Sequence, residues 1–218
     1  MIQHVYELAR ACPDVGTVLV ATDDQRIVEA VTAFGGQTLY MTTPYRTGTD
    51  RVAAVAEQQP GEVFVDMQAD EIPMHPGLLS DLITPFLHSS ASMGTLRRSL
   101  TSVEELRNPG VVKVVTNQEG HALYFSRAPI PHYRDLASTE LPAQLQYIHL
   151  GIYIYTRATL TRLAGLPTGA LEDAEKLEQL RALEFGIPIR VWDTTHDSLR
   201  VDTPEDLAQA ASILEKRA

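Results

Sequence analysis

An acidic segment follows directly after an apolar run near the middle of the chain. The run 62–67 (EVFVDM) has the composition of a buried strand, and Gln68-Ala69-Asp70-Glu71 comes next. In open α/β sheets, ligands bind beyond the carboxyl ends of the strands, so Asp70 is placed to bind a metal ion or a phosphate. A polar turn that caps the next helix would explain the same residues equally well.

A second acidic segment lies near the end of the chain, at 201–207 (VDTPEDL). Thr203 can cap a helix and Pro204 can be its first residue, which leaves Asp202 without a structural role. Mg²⁺ typically takes one or two carboxylates and completes its shell with phosphate and water. The sequence therefore suggests Asp70 and Asp202 as a shared Mg²⁺ pair, and we expect their carboxylates to lie within about 10 Å of each other.

Two other segments carry side chains suited to ligand binding. The segment 47–51 (TGTDR) precedes a helix and could offer hydroxyls and a guanidinium to a ligand, but it also fits a helix cap. His149 and Tyr153 are four positions apart in an apolar strand, so their side chains share a face. Strand geometry alone favours a core histidine with a satisfied hydrogen bond over a ligand at His149.

The elements that must position these residues alternate between strand and helix in the first part of the chain. This pattern predicts one domain, 1–218, with a mixed, mostly parallel sheet and helices on both faces. A turn at 117–120 (NQEG) predicts an antiparallel pair, and the proline-containing stretch 126–148 is interpreted as a dimer-contact arm. Strands are predicted at 17–21, 38–41, 62–67, 93–96, 111–116, 122–125, 149–155 and 189–192, and the later helices at 75–88, 171–184 and 204–216.

Composition narrows the class of function. The net charge is −10 and no run of Lys and Arg offers a stripe for phosphates, which argues against nucleic-acid binding. A polyanionic substrate would need a metal ion to offset its charge. No window has the roughly 18 consecutive apolar residues of a membrane span, and Cys12, the single cysteine, is interpreted as a structural thiol. A cytoplasmic protein is expected.

Seven blocks in order resemble the signatures of bacterial CMP-Kdo synthetases, the 3-deoxy-manno-octulosonate cytidylyltransferases. The resemblance spans the chain and implies a nucleotide-diphospho-sugar transferase-like fold and a homodimer. It implies activation of the eight-carbon acid Kdo by CTP with Mg²⁺, for lipopolysaccharide biosynthesis. The blocks are TGTDR, QADE, NPGVVKVV, ALYFSRAPIP, HLGIYIY, LEQLRALEFG and VDTPEDL.

The resemblance also implies roles for particular residues. The sugar's anomeric hydroxyl would attack the α-phosphorus of CTP, and pyrophosphate would leave, with the protein mainly positioning the reactants. Arg127 is a candidate partner for the sugar carboxylate, since a guanidinium can grip a carboxylate through two hydrogen bonds. The implied set is Asp70 and Asp202 for Mg²⁺ and catalysis; Gln68, Arg127, His149, Tyr153, Glu178 and Gln179 for the sugar; and Thr49 and Arg51 for the nucleotide.

Three residues depart from the family pattern within these blocks. Ala69 replaces a glycine, which would matter if that position needs a positive φ or a close ligand approach. Ile72 replaces a proline. Ile148 replaces a basic residue, which would permit a different acidic sugar, such as an amino-substituted Kdo.

Family members also carry an apolar strand and a glycine-rich loop, R-x-x-S-x-R-L-P-G-K-P, ahead of the position of Met1-Ile2. We therefore expect a sheet that lacks the family's first strand and has an unpaired edge. We also expect the chain as written to form no measurable CMP-sugar, and a family-like strand and loop placed before it to restore turnover. A non-catalytic sugar-binding or regulatory paralogue is the alternative.

Overall fold

The computed structural model describes residues 1–134, 146–201 and 203–215. The chain forms two compact units, each assembled from separated stretches of sequence. Unit 1 consists of Met1–Pro44, Met67–Ser80 and His196–Ala218, and unit 2 consists of Tyr45–Asp66 and Asp81–Thr195. No helix within the described ranges is long and apolar enough to cross a membrane.

The large sheet of unit 2 is built around its longest strand, β8 (Tyr147–Thr156). The other strands of this sheet are β3 (Val63–Met67), β5 (Met93–Ser99), β6 (Lys113–Thr116), β7 (Ala122–Ser126) and β9 (Arg190–Asp193). β8 runs antiparallel to both β5 and β6, β6 runs antiparallel to β7, and β9 is parallel to β5. The strand order is β7-β6-β8-β5-β9, and β3 also pairs with β8.

The helices described between Tyr45 and Thr195 are α3 (Gly48–Gln58), α4 (Gly77–Leu87, which begins in unit 1), α5 (Val103–Arg107), α6 (Arg157–Ala164), α7 (Ala170–Glu175) and α8 (Gln179–Glu184). Apolar residues of α3, α6 and α8 form the core of unit 2 together with the large sheet. Leu160 of α6 and Leu180 of α8 are fully buried in one cluster with Val114, Phe125 and Ile189. Removing such side chains from water is the main favourable contribution to folding.

Unit 1 contains two small sheets. β1 (Val20–Thr22) and β2 (Thr38–Tyr40) are parallel, and β4 (Glu71–Pro73) and β10 (Ser198–Arg200) are antiparallel. Ile72 of β4 is buried with Val5 and Ala210. The helices of unit 1 are α1 (Ile2–Ala11), α2 (Gln25–Ala33) and α9 (Pro204–Glu215).

The predicted mixed α/β architecture is confirmed, with fewer parallel pairs than the alternation of strand and helix indicated. β1 pairs with β2 alone among the described strands. The expectation that the sheet lacks the family's first strand stays a prediction. The strand pair β4–β10 and the helices α5 and α6 were not predicted, because elements of three to eight residues carry little periodicity. The single-domain prediction stays a prediction.

The long helix predicted at 171–184 is wrong. The structure has two short helices, α7 and α8, because Lys176 adopts a left-handed conformation with φ 53°. The predicted contact arm at 126–148 lies partly outside the described residues, so its role in dimer contacts stays a prediction.

Candidate functional site

The segment 68–71 forms a tight turn between β3 and β4. The N–H of Glu71 donates to the carbonyl of Gln68 at 3.2 Å, and the carbonyl of Asp70 accepts from the N–H of Val201 at 2.9 Å. The alternative of a cap on the next helix is wrong, because the turn leads into a strand and α4 begins only at Gly77. Strand pairing between β4 and β10 therefore holds Asp70 beside Val201.

Negative charge accumulates at this turn. Burial raises the pKa of Glu71, and the nearby carboxylates of Asp70 and Asp197 raise it further. The hydroxyl of Ser198, which donates to Glu71, and the cation of Arg200 act in the opposite direction. Carboxylates that repel one another are a favourable environment for a hard divalent cation.

Asp202 lies outside the described residues, so its predicted approach to Asp70 stays a prediction. Within the described ranges no group of three or more His, Cys, Asp or Glu side chains is arranged to hold a metal ion. Mg²⁺ does not require such a group when phosphate oxygens and water supply its remaining ligands. The hard oxygen donor of Asp70 thus fits Mg²⁺ chemically.

The departures from the family pattern have structural explanations. Among the described non-glycine residues, only Lys176 has a positive φ, so the backbone at Ala69 does not need glycine for its conformation. Ile72 is 1% exposed and belongs to the core of unit 1. Ile148 is also buried, and its register in the sheet places it between Arg98 of β5 and Lys113 of β6.

The first turn of α3 holds a carboxylate from a distant part of unit 2. Thr47 caps the helix by accepting the N–H of Asp50. The N–H and the hydroxyl of Thr49 both donate to Oε2 of Glu178, at 3.3 Å and 2.9 Å. Arg51 is half-buried one turn further along. The segment 47–51 is thus a helix start, and it also binds an acidic side chain.

The break between α7 and α8 determines where Glu178 and Gln179 lie. The guanidinium of Arg127 donates to the carbonyls of Glu175 at 2.8 Å and Lys176 at 3.4 Å, and also to that of Pro109 at 3.0 Å. Because Arg127 occupies the last carbonyl of α7 and the carbonyl of the C-cap residue Lys176, a continuous helix is not needed to satisfy them. The role of Arg127 as a partner of the sugar carboxylate stays a prediction.

Gln179 is 5% exposed, and its Nε2 atom has no hydrogen-bond partner among the described residues. A buried amide donor left unpaired costs roughly 1–3 kcal/mol, so native proteins rarely keep one without a reason. A ligand oxygen would satisfy it. This is the structural observation that most directly favours a binding role for the segment 178–179.

His149 and Tyr153 share a face of β8, as predicted, with ring centroids 5.3 Å apart. Tyr153 is half-buried, whereas His149 is buried and packs edge-on against Phe125. Nε2 of His149 lies 3.0 Å from the hydroxyl of Thr95. His149 thus has the burial and the hydrogen bond expected of a core histidine, and its role in sugar binding stays a prediction.

Sequence reasoning missed the buried polar groups that support these residues. Lys113 is fully buried, and its ammonium donates to the carbonyls of Asn108, Val111 and Arg127. Glu175 accepts from the hydroxyl of Ser126 and from the N–H of Arg127. A lysine inside the apolar block 111–115 (VVKVV) was the signal for the first of these, since buried lysines are rare unless paired.

Within unit 2, the structure brings together Thr49 with Glu178, His149 with Tyr153, and Arg127 with the end of α7 just before Glu178. Gln68 and Asp70 belong to unit 1.

The sequence matches a family model described as cytidylyltransferase over residues 1–189. It is 46% identical to the 3-deoxy-manno-octulosonate cytidylyltransferase of Geobacter sulfurreducens, over 99% of this chain and 88% of that protein. The chain belongs to the 3-deoxy-manno-octulosonate cytidylyltransferase family. A cytidylyltransferase with the same name from Syntrophotalea carbinolica is also 46% identical, over 98% of this chain and 88% of its own length.

Solved structures agree with membership of this cytidylyltransferase family. A CMP:2-keto-3-deoxy-manno-octonic acid synthetase complexed with CTP superposes with a TM-score of 0.91 at 35% identity, covering all of this chain and 88% of that one. A glucose-1-phosphate thymidylyltransferase from Bacillus anthracis has a TM-score of 0.63 at 15% identity, covering 97% of this chain and 81% of that one, which shows the fold alone. The enzyme is thus a nucleotidyltransferase with the fold that the resemblance implied.

Proposed function

We propose that the protein transfers a cytidylyl group from CTP to Kdo, giving CMP-Kdo and pyrophosphate for lipopolysaccharide biosynthesis. The observation that carries this proposal is the 46% identity to a 3-deoxy-manno-octulosonate cytidylyltransferase over 99% of the chain. In the proposed reaction the sugar's anomeric oxygen bonds to the α-phosphorus of CTP as the bond to pyrophosphate breaks. The hydroxyl proton passes to solvent water, so the products are CMP-Kdo, pyrophosphate and a proton.

The polar groups of unit 2 support sugar binding. The unpaired Nε2 of Gln179 would donate to a sugar oxygen, and the Glu178 carboxylate would accept from a sugar hydroxyl. Burial lowers the pKa of His149 to about 3, so its imidazole stays neutral at physiological pH and can contact the sugar without adding charge. Gln68 and Tyr153 complete the proposed sugar contacts, and Arg51 contacts the nucleotide.

The acidic turn of unit 1 supports a metal-binding role. Asp70 and Asp202 would hold Mg²⁺, which when bound would offset the negative charge of the triphosphate in a protein whose own net charge is −10. We further propose that the enzyme is a homodimer that acts in the cytoplasm, where CTP is available.

A pyrophosphate-release assay with CTP, Kdo and Mg²⁺ tests the proposal. It is run on the 218-residue chain and on a form preceded by the family's strand and loop, with UTP and an amino-substituted Kdo as alternative substrates. Turnover is expected with CTP and Kdo.

Asp70→Asn should lower turnover at least 100-fold, since losing a metal ligand removes charge stabilisation from the transition state. Asp193→Asn is the control, because its carboxylate is exposed and pairs with Arg97 on the surface of unit 2. Equal activity of the two variants would refute the metal role of Asp70. Sugar binding without pyrophosphate release in either form would favour the non-catalytic alternative.

A further inference from the structure

Two hydrogen bonds from the start of α3 hold the carboxylate of Glu178. Thr49 is the second residue of α3 and is 6% exposed. Its N–H is one of the donors that an α-helix leaves without an internal partner, and it points to Oε2 of Glu178 at 3.3 Å. Its hydroxyl reaches the same oxygen at 2.9 Å. One carboxylate oxygen is therefore held by two donors of a single residue.

The direction of the hydroxyl bond between Thr49 and Glu178 follows from its chemistry. The ionised carboxylate of Glu178 can only accept, so the single hydroxyl hydrogen of Thr49 points to Oε2.

The other end of the Glu178 carboxylate is the part available to a ligand. Among the described residues, Oε1 of Glu178 has no hydrogen-bond donor, and the adjacent Gln179 presents its buried, unpartnered Nε2. An acceptor and a donor side by side match a hydroxyl and an oxygen of one sugar.

We propose that Thr49 is a positioning residue that fixes the Glu178 carboxylate for sugar binding, and that it is not a nucleotide contact. This rests on the proposed function, because it assigns Glu178 to the sugar. A fixed carboxylate loses less conformational entropy when the sugar binds, so removing the Thr49 hydroxyl should weaken sugar binding and leave CTP binding unchanged.

The kinetic test compares Thr49→Val with Thr49→Ser in whichever form of the enzyme turns over. Thr49→Val keeps the shape of the side chain but removes the hydroxyl, and it should raise KM for Kdo about tenfold with KM for CTP and kcat within twofold. Thr49→Ser restores the hydroxyl and should return KM for Kdo to within threefold of wild type.

Thr161→Val is the matched control, because Thr161 is exposed on α6, and it should change neither KM. A rise in KM for CTP with an unchanged KM for Kdo would overturn the proposal and return Thr49 to the nucleotide. Unchanged constants for both substrates in Thr49→Val would also overturn it. Thermal unfolding of each variant shows whether the fold is intact.

A substrate-free measurement separates this proposal from the proposed function. In a double-mutant cycle of Thr49→Val and Glu178→Gln, the two changes should be coupled by at least threefold in the unfolding equilibrium constant. If these two changes are coupled but the wild-type protein never converts CTP and Kdo, the proposed function is refuted and the interaction of Thr49 with Glu178 is upheld. Additive effects would refute the positioning of Glu178 by Thr49, whatever the substrate.

Discussion

His149 shows how a single buried residue can carry a pH dependence that its position on the strand does not reveal. The hydroxyl of Thr95 lies close to the carbonyls of Leu150 and Ile152, at 3.1 Å and 2.8 Å, so its one hydrogen is used there. Nε2 of His149 must then be the donor to Thr95, which assigns the Nε2–H tautomer and leaves Nδ1 as an acceptor.

Protonation of His149 should destabilise the fold. Burial lowers its folded-state pKa from 6.5 to about 3, so below pH 6.5 the unfolded state binds more protons than the folded state. The stability contribution is complete above pH 6.5 and is lost progressively as the pH falls towards 3. Between pH 7.5 and 5.5 the wild type should lose about 1.4 kcal/mol more than His149→Gln does.

Urea unfolding at the two pH values measures this difference. Tyr153→Phe retains His149 and should keep the acid loss of the wild type. Parallel pH dependences in wild type and His149→Gln would mean that His149 is protonated as easily in the folded as in the unfolded chain.

The junction of α7 and α8 is the element whose shape matters most to the proposed sugar contacts. Lys176 ends α7 in the left-handed conformation, and Leu177, the next residue, is buried. Several hydrogen bonds hold this conformation. Arg127 donates to the carbonyls of Glu175 and Lys176, and the carboxylate of Glu175 accepts from the hydroxyl of Ser126 and from the N–H of Arg127. As a result, Glu178 begins a new helix direction next to α3.

A glycine at position 176 should stabilise the protein. A non-glycine residue in the left-handed region costs roughly 1–2 kcal/mol, and Lys176→Gly relieves this cost while making the unfolded chain more flexible. The salt bridge between Lys176 and Asp173 that it removes is exposed and contributes little. The net expected gain is about 0.5–1 kcal/mol, measured as a higher urea midpoint with an unchanged m value.

Lys176→Val is the opposing variant, because a β-branched side chain tolerates a positive φ poorly, and it should lower the midpoint. A midpoint that falls in Lys176→Gly would show that the lysine side chain contributes more than its backbone strain costs.

At the scale of the whole molecule, the two units differ in the size of their sheets. β8 of unit 2 is ten residues long and pairs with three strands, and Ile152 and Ile154 within it are fully buried. The strands of unit 1, β1 and β2, are three residues long and pair in a two-stranded sheet. A small sheet with few buried groups opens more readily than a large one.

Amide hydrogen exchange should therefore be uneven along the chain. Peptides from β5 and β8 are expected to exchange at least 100-fold more slowly than those from β1 and β2, because opening the large sheet exposes its core. Exchange followed by mass spectrometry gives both rates in one experiment. Equal protection in the two groups of peptides would indicate that the chain unfolds as one cooperative unit.

The sequence by itself determined the class of fold, most of the long elements and the residues suited to chemistry. Apolar periodicity is a local property, so the strand at 62–67 and the helix at 204–216 could be predicted within a few residues. The acidic segment after the strand was identified in the same way, from residue types and their order.

Tertiary structure decided the surroundings of those residues. The break at Lys176 depends on Arg127, almost 50 positions away, which no local pattern reports. The bond from Thr49 to Glu178 joins residues 129 positions apart and changes the role proposed for Thr49. Burial of His149 likewise follows from Phe125 and Thr95 packing around it. Side chains distant in sequence set hydrogen bonding and desolvation, and these determine what each polar group can do.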